Sequence, residues 1–312
     1  MNPMQKTAIP PLGQLAYLHV SGADAEAFLQ GQLSSDIRLL TAERAQISSF
    51  NSPKGRMLAV LHLFRHGDGV VMELERSLLE PVLKRLRMFV LRSKVMIENI
   101  SDTLPALGIA GEAAADTLRS LGLSAPEKAL DSRLCGNDGG VVIRRFGETP
   151  RYSVHAAAST LAALQAQLLR CAEPADTNAW RRLDILAGVP AVHPQTVDHF
   201  VAQMANLDLL GGISFDKGCY TGQEIVARLH YLGQLKRRMV VCRSAARDIP
   251  PGTAVHDAGV AQAVGEVVQS AAEGEGSVLS VVLQLGHASS TQLCLGDTQN
   301  SPLTKPVGVP AD

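Results

Sequence analysis

Residues 217–224 read Lys-Gly-Cys-Tyr-Thr-Gly-Gln-Glu, an octapeptide that surrounds one cysteine with activating features. Lys217 lies two residues before Cys219 and brings a positive charge towards the thiol. Thr221 and Glu224 have the Ser/Thr-x-x-Glu spacing of a capping box, which predicts that a helix begins here. Because a nearby cation and a helix N-terminus both favour an anion, the octapeptide predicts a thiolate at Cys219. A small buried cysteine beside an ordinary helix cap is the alternative.

The composition of the 312-residue chain is that of a globular protein, with 46% hydrophobic and 19% charged residues. Its formal net charge of -1 gives no overall attraction to nucleic acid or acidic membranes, so binding of a polyanion requires a local basic patch. Residues 1–11 lack the apolar core of a signal peptide, and no run is apolar enough to span a membrane. These features predict a cytoplasmic protein without a membrane partner.

The five cysteines are dispersed along the chain and form no Cys-x-x-Cys pair. In a reducing cytoplasm this spacing predicts no disulfide framework. Zinc and iron–sulfur sites usually have clustered ligands, so we assign no residue to a metal site.

Hydrophobic patterning divides the chain near position 235. Before it, strand-like runs alternate with helices, which predicts an α+β body over residues 1–235. After it, short apolar strands alternate with turns rich in proline and glycine. This second pattern predicts a small β-barrel or sandwich over residues 236–312, with a loose tail from Ser301.

Amide and carboxylate side chains accompany the octapeptide. Gln203 and Asn206 precede it, and Gln223 and Glu224 end it. Such groups recognise a flat heterocycle through paired hydrogen bonds, and we therefore predict that they contact a ligand. For Glu224, a role confined to the helix cap is an equal alternative.

Residues 76–94 form a second group, with six basic side chains and a single acidic one, Glu80. Such a stripe predicts contact with phosphates or an RNA backbone, although a solvated helix face is the simpler interpretation. The motifs that bind nucleoside triphosphates or dinucleotides, and the nucleophile elbow of hydrolases, are absent from the sequence.

With its flanks, the octapeptide resembles the signature of the YgfZ family, folate-binding proteins related to the T-protein (aminomethyltransferase) of the glycine cleavage system. The similarity runs through residues 211–228. Ala202 departs from the pattern, because the family usually has proline there. Further matching segments are 28–36 (Phe-Leu-Gln-Gly-Gln-Leu-Ser-Ser-Asp), 53–56 (Pro-Lys-Gly-Arg), 180–190 and 236–238.

This resemblance implies an α+β fold in which two interwoven α+β domains surround a central channel and a C-terminal β-barrel closes the ring. It implies tetrahydrofolate or a one-carbon derivative as the cofactor in that channel. Cys219, facing the ligand, and Lys217 are the implied catalytic residues. The implied cofactor-binding residues are Trp180, Gln203, Asn206, Tyr220, Gln223, Glu224 and Arg228.

The function implied by the resemblance is the synthesis or repair of iron–sulfur enzymes, including enzymes that modify tRNA. Partners would be folate, iron–sulfur client enzymes or assembly factors, with weak tRNA contact and a monomeric state. An aminomethyltransferase that acts with a lipoyl carrier protein is one alternative, but the transferases lack the Lys-Gly-Cys-Tyr run. A tRNA-binding module that uses residues 76–94 is the other alternative.

Overall fold

The first of three sheets is built from strands in which buried apolar residues alternate with more exposed ones. The computed structural model describes residues 7–135, 140–296 and 301–304, without the side chains at 134 and 135. Met57, Ala59 and Leu61 illustrate the alternation, since all three are buried on one face of their strand. The sheet is antiparallel throughout, with the order β3 (Gln46–Asn51), β4 (Met57–His66), β5 (Gly69–Glu75), β2 (Leu15–Ser21) and β6 (Met96–Asn99).

Two helices accompany this sheet, α1 (Ala25–Gln32) and α2 (Leu79–Val90). The buried residues of α2 recur at helical spacing and form one apolar stripe that packs into the core of the first sheet. These residues are Leu79, Val82, Leu83 and Leu86.

The second sheet is interwoven with the first because its strands come from both sides of the first sheet in sequence. Its order is β11 (Glu173–Pro174), β1 (Ala8–Ile9), β7 (Ala106–Ala110), β10 (Arg151–His155), β9 (Gly140–Arg144) and β8 (Ser132–Cys135). The β1–β11 pair is parallel and the other pairs are antiparallel. Helices α3 (Ala114–Ser120) and α4 (Ala158–Leu168) cover this sheet.

The chain then returns to the first core. After helix α5 (Thr177–Leu186), the buried side chains of Val189, Phe200 and Leu207 join the core cluster that contains the first sheet. Helix α6 (Gln223–Tyr231) follows and buries Val226 in the same cluster. The predicted pair of interwoven α+β domains is confirmed.

The third sheet is a curled half-barrel with the order β12 (Arg237–Ser244), β15 (Gly276–Gln284), β14 (Gly265–Glu273), β13 (Ala254–Asp257) and β16 (Leu293–Leu295). Its edge strands are linked through the tail, because Leu303 bridges to Ser244 and Pro302 bridges to Cys294. Residues 301–304 of the predicted loose tail are therefore paired with this sheet, and residues 305–312 lie outside the described residues.

Strand β7 has the sequence Ala-Leu-Gly-Ile-Ala, and its weak strand propensity gives no signal in the sequence. It forms because five residues of β10 pair with it. Within the described ranges, no helix has the length and apolar character needed to cross a lipid bilayer.

Candidate functional site

The loop that carries Cys219 is fixed to the segment that follows α1. Lys217 is buried, and its ammonium group donates hydrogen bonds to the carbonyl oxygens of Leu33 (2.7 Å) and Ser35 (2.8 Å). The amide of Thr221 donates to the carbonyl oxygen of Gly31 at 3.3 Å. Because charge-assisted hydrogen bonds are the strong ones, Lys217 acts as the anchor of the loop.

A close approach between two glycines fixes the other side of the loop. Gly222 has a left-handed backbone (φ 81°), and a Cβ there would collide with the carbonyl oxygen of Ser52. A Cβ on Gly55 would lie 2.8 Å from Cβ of Ile225. The tertiary structure thus brings together the segments 28–36, 53–56 and 211–228, which are far apart in sequence.

Cys219 is exposed at the centre of this arrangement. The predicted capping box is wrong, because α6 begins at Gln223 with Gly222 as its N-cap and no side chain caps it. Instead, Oε1 of Gln223 accepts a hydrogen bond from the amide of Tyr220 at 3.2 Å. The left-handed Gly222 turns the chain before the helix, so that Cys219 stands outside the first turn.

Burial lowers the pKa of Lys217 to about 8, and the carboxylate of Asp36 partly opposes this shift. The ammonium group also lies 5.0 Å from the centre of the Tyr220 ring, a cation–π contact. The Tyr220 hydroxyl is buried, and burial raises its pKa to about 12. Lys217 and Tyr220 are therefore the buried part of the loop that carries the exposed thiol.

Two of the predicted ligands, Gln203 and Asn206, use their amide NH2 groups for hydrogen bonds within the protein and leave their amide oxygens without a partner among the described residues. Ala202 starts a 3₁₀ turn in which Gln203 donates to the carbonyl oxygen of Val226 at 2.7 Å. Asn206, which ends the turn, donates to the carbonyl oxygen of Met239 at 2.7 Å. Among the described residues, neither buried amide oxygen has a hydrogen-bond partner. These side chains join the 3₁₀ turn to α6 and to β12, and each keeps an amide oxygen that can accept a hydrogen bond.

Glu224 and Arg228 differ from the amides because both are exposed on α6. Gln223 is half-buried at the start of the helix. Trp180 lies elsewhere, buried on α5, with the guanidinium group of Arg151 over its ring at 4.9 Å. The predicted site residues therefore separate into a thiol loop with its supports and a second location around Trp180.

That second location is a cavity between the three sheets. Of the nine predicted site residues, Trp180 alone lines it, within the part of the chain that the structure describes. The cavity and its open mouth enclose about 560 Å³ of empty space. Its charged and polar lining includes Gln14, His62, Glu73, Glu75, Arg145, Arg181, Asp184 and Gln269.

Buried ion pairs organise the cavity wall. Arg145 donates to a carboxylate oxygen of Glu73 at 2.6 Å, and both side chains are almost fully buried. Arg145 also donates to the hydroxyl of Ser153 at 2.8 Å. Arg151, which covers Trp180, pairs with Asp184 at 2.7 Å. These pairs join β5, β10 and α5 around the cavity.

These charged residues are not predicted by any motif in the sequence. The one local signal is in β5, where Glu73 and Glu75 interrupt an apolar strand on the same face. A buried face that carries acidic residues requires partners, and Arg145 lies 72 positions from Glu73. No local pattern connects positions so far apart.

Glu75 has an altered titration because burial raises its pKa from 4.5 to about 7, with Asp184 and Glu73 adding to the shift and Arg181 opposing it. Since the folded-state pKa lies above the unfolded value, the folded protein binds more protons between pH 4.5 and 7. The contribution of Glu75 to stability is therefore greatest below pH 4.5 and is lost as pH rises through 7.

We expect Glu75→Gln to remove this loss. At pH 8.5 the variant should be more stable than the wild type by about 3 kcal/mol, the order of magnitude that the interval from 4.5 to about 7 gives. At pH 4.5 the two proteins should be nearly equal. Urea unfolding between these pH values measures the difference, with Glu80→Gln, exposed on α2, as the matched control. A constant difference across the range would contradict the assignment.

Comparison with known proteins gives a consistent result for sequence and fold. The chain is 34% identical over 241 residues to "tRNA-modifying protein YgfZ" of Escherichia coli strain SMS-3-5, an alignment that covers 77% of this chain and 72% of the relative. The protein of the same name from E. coli O157:H7 has the same identity and coverage. No family model matches the chain.

Among solved structures, the glycine cleavage system aminomethyltransferase T from Bartonella henselae has the same fold. It superimposes with a TM-score of 0.79 at 16% identity, covering 99% of this chain and 87% of that protein. This similarity confirms the predicted fold class. At 16% identity, it shows the fold alone and does not assign the activity of that protein to this chain.

Proposed function

This chain belongs to the YgfZ family of tRNA-modifying proteins, and on that premise we propose that it binds a reduced folate and supports the synthesis or repair of iron–sulfur enzymes, including enzymes that modify tRNA. The observation that carries the proposal is the convergence of three matching segments on one exposed thiol, Cys219. A cysteine side chain can serve both as a nucleophile and as a soft metal ligand. On an anchored surface loop it can act on a group that a partner protein presents. We propose iron–sulfur client enzymes or their assembly factors as these partners.

The chemistry of the cavity fits a reduced folate. The pterin ring carries neighbouring hydrogen-bond donors and acceptors, and Oε1 of Gln14 and Nδ1 of His62 are buried there without a partner among the described residues. Glu75, with its pKa raised to about 7, can accept or donate a hydrogen bond near neutral pH. Arg181 offers a positive charge for the acidic glutamate tail. A bound reduced folate would supply a carrier for a one-carbon unit.

The cavity is narrow, because its interior has a volume of only about 50 Å³. A flat ring therefore needs some lining side chains to move outward as it enters. Arg181 and Glu75 are the natural candidates, since both are only half-buried.

Binding can be followed through Trp180, because it is the only tryptophan of the sequence and it lines the cavity. We expect tetrahydrofolate to quench its fluorescence saturably, after correction with free N-acetyltryptophanamide. Arg181→Ala should weaken binding at least tenfold, because a charge-assisted hydrogen bond contributes roughly 1.5–3 kcal/mol. Arg182→Ala is the matched control, since Arg182 is the next residue of α5 and does not line the cavity. Equal weakening by both variants, or no saturable quenching, would refute the cavity as the folate site.

The iron–sulfur part of the proposal is tested in cells. In a strain that lacks its own YgfZ-family protein, expression of this chain should restore the nucleoside modifications made by iron–sulfur enzymes, measured by mass spectrometry of digested tRNA. No restoration despite saturable folate binding would refute this role and leave the folate site intact. Transfer of methylamine from a lipoyl carrier protein to tetrahydrofolate would instead assign the protein to the aminomethyltransferases.

A further inference from the structure

An apolar groove runs between helix α2 and the edge of the first sheet. Phe50 of β3, Leu58 of β4 and Met88 of α2 are among its lining residues, and the groove with its open mouth encloses about 690 Å³. Lys84 and Arg85 stand at its rim. A groove with apolar and basic lining residues can bind a peptide that presents a large apolar side chain next to acidic residues.

Exposed apolar side chains continue from the groove past the end of α2. Met88 is 58% exposed and Leu91 is 87% exposed, with Phe89 beside them. Leu91 also has a left-handed backbone (φ 47°), which is unfavourable for a leucine. Most of the Met88 and Leu91 side chains is therefore in water, and exposed apolar surface of this kind marks an interaction site.

Basic residues outnumber acidic ones along this stretch of chain, and one acidic residue of another element, Asp24, lies beside Phe89, Leu91 and Arg92. Glu80 is the only acidic residue among positions 76–94, against six basic residues. Lys84, Arg92 and Lys94 make no ion pair with any residue that the structure describes. Their charges are free to attract an acidic partner.

The apolar component distinguishes a protein partner from RNA. An RNA backbone would pair with the basic residues but would leave the groove and the side chains of Met88 and Leu91 in water. RNA-binding surfaces stack bases on several aromatic rings, whereas Phe89 is the only aromatic residue of α2. Apolar anchors surrounded by basic residues match an acidic protein segment with large apolar side chains.

The surface is connected to the thiol loop. Phe50 and Leu58 end the two arms of the β3–β4 hairpin, and its tip contacts the Cys219 loop through Gly55 and Gly222. We propose that α2 and this groove form the docking surface for a partner protein, which binds through an acidic segment that inserts an apolar side chain. None of the lining residues of this groove lines the cavity proposed for folate.

Site-specific photo-crosslinking in cells tests the proposal. The full chain carries p-benzoylphenylalanine in place of Met88 or Leu91 and, as the matched control, in place of Leu169, which is 48% exposed at the end of α4. Positions 88 and 91 should crosslink to a protein segment that mass spectrometry shows to be acidic with apolar residues, and position 169 should not. The double variant Lys84→Glu/Arg92→Glu, with an unchanged circular dichroism spectrum, should lower this crosslinking at least fivefold.

A second measurement uses the captured segment as a synthetic peptide. Its dissociation constant, from fluorescence anisotropy, should increase at least tenfold for the Lys84→Glu/Arg92→Glu variant. Crosslinks that nuclease digestion removes would show RNA to be the ligand and overturn the proposal. It is also overturned by crosslinks to a second copy of this chain, by a segment that is not acidic, or by equal crosslinking at position 169.

Discussion

We expect replacement of Cys219 with alanine to abolish the restoration of iron–sulfur enzyme activity in a strain that lacks its own YgfZ-family protein. The variant should keep the stability of the wild type, because the side chain is exposed and the loop is fixed by Lys217 and Gly222. It should also retain saturable quenching of Trp180 by tetrahydrofolate, because Cys219 does not line the cavity. The expected loss is at least tenfold in the modified nucleosides of tRNA, measured by mass spectrometry.

The matched control is Cys171→Ala. Cys171 is also a free and exposed cysteine, but it lies after α4 and away from the three converging segments. We expect full restoration by this variant. Full restoration by Cys219→Ala would remove the thiol from the proposed function, whereas a loss with both variants would indicate a general effect of cysteine replacement.

We expect replacement of Arg145 with methionine to destabilise the protein by about 3–5 kcal/mol, the usual result of removing one partner of a buried ion pair. The change leaves the carboxylate of Glu73 buried without its guanidinium partner, and the Ser153 hydroxyl loses a donor. Urea unfolding at pH 7.5 measures the free energy of unfolding. The double variant Glu73→Leu/Arg145→Met should recover most of the loss, because a buried charge no longer lacks its partner.

The control for this prediction is the exposed pair of Arg119 and Asp116, whose atoms lie 2.8 Å apart on the surface of α3. Arg119→Met should change the free energy of unfolding by less than about 0.5 kcal/mol, since exposed ion pairs contribute little. If Arg145→Met costs no more than Arg119→Met, the ion pair does not hold the cavity wall together.

Local patterns predicted most of the secondary structure. The alternation in β4 and the apolar stripe of α2 report the face that each element buries, and both elements form at the predicted positions. The patterns were insufficient where pairing outweighs propensity, as in β7, which forms because β10 pairs with it. The capping box was wrong because Gly222 takes up a left-handed conformation against Ser52, a contact that is not local.

The sequence by itself determined the family, because the octapeptide and the matching segments are recognised from their residue types without knowledge of their contacts in the fold. The tertiary structure decided that Cys219 is exposed and that Lys217 is its buried anchor, because burial depends on the carbonyl groups of Leu33 and Ser35. The charged cavity is also a product of the tertiary structure, because its lining residues are far apart in the sequence. Glu73 and Arg145 are tolerable in the core only as a pair, and folding alone brings them together.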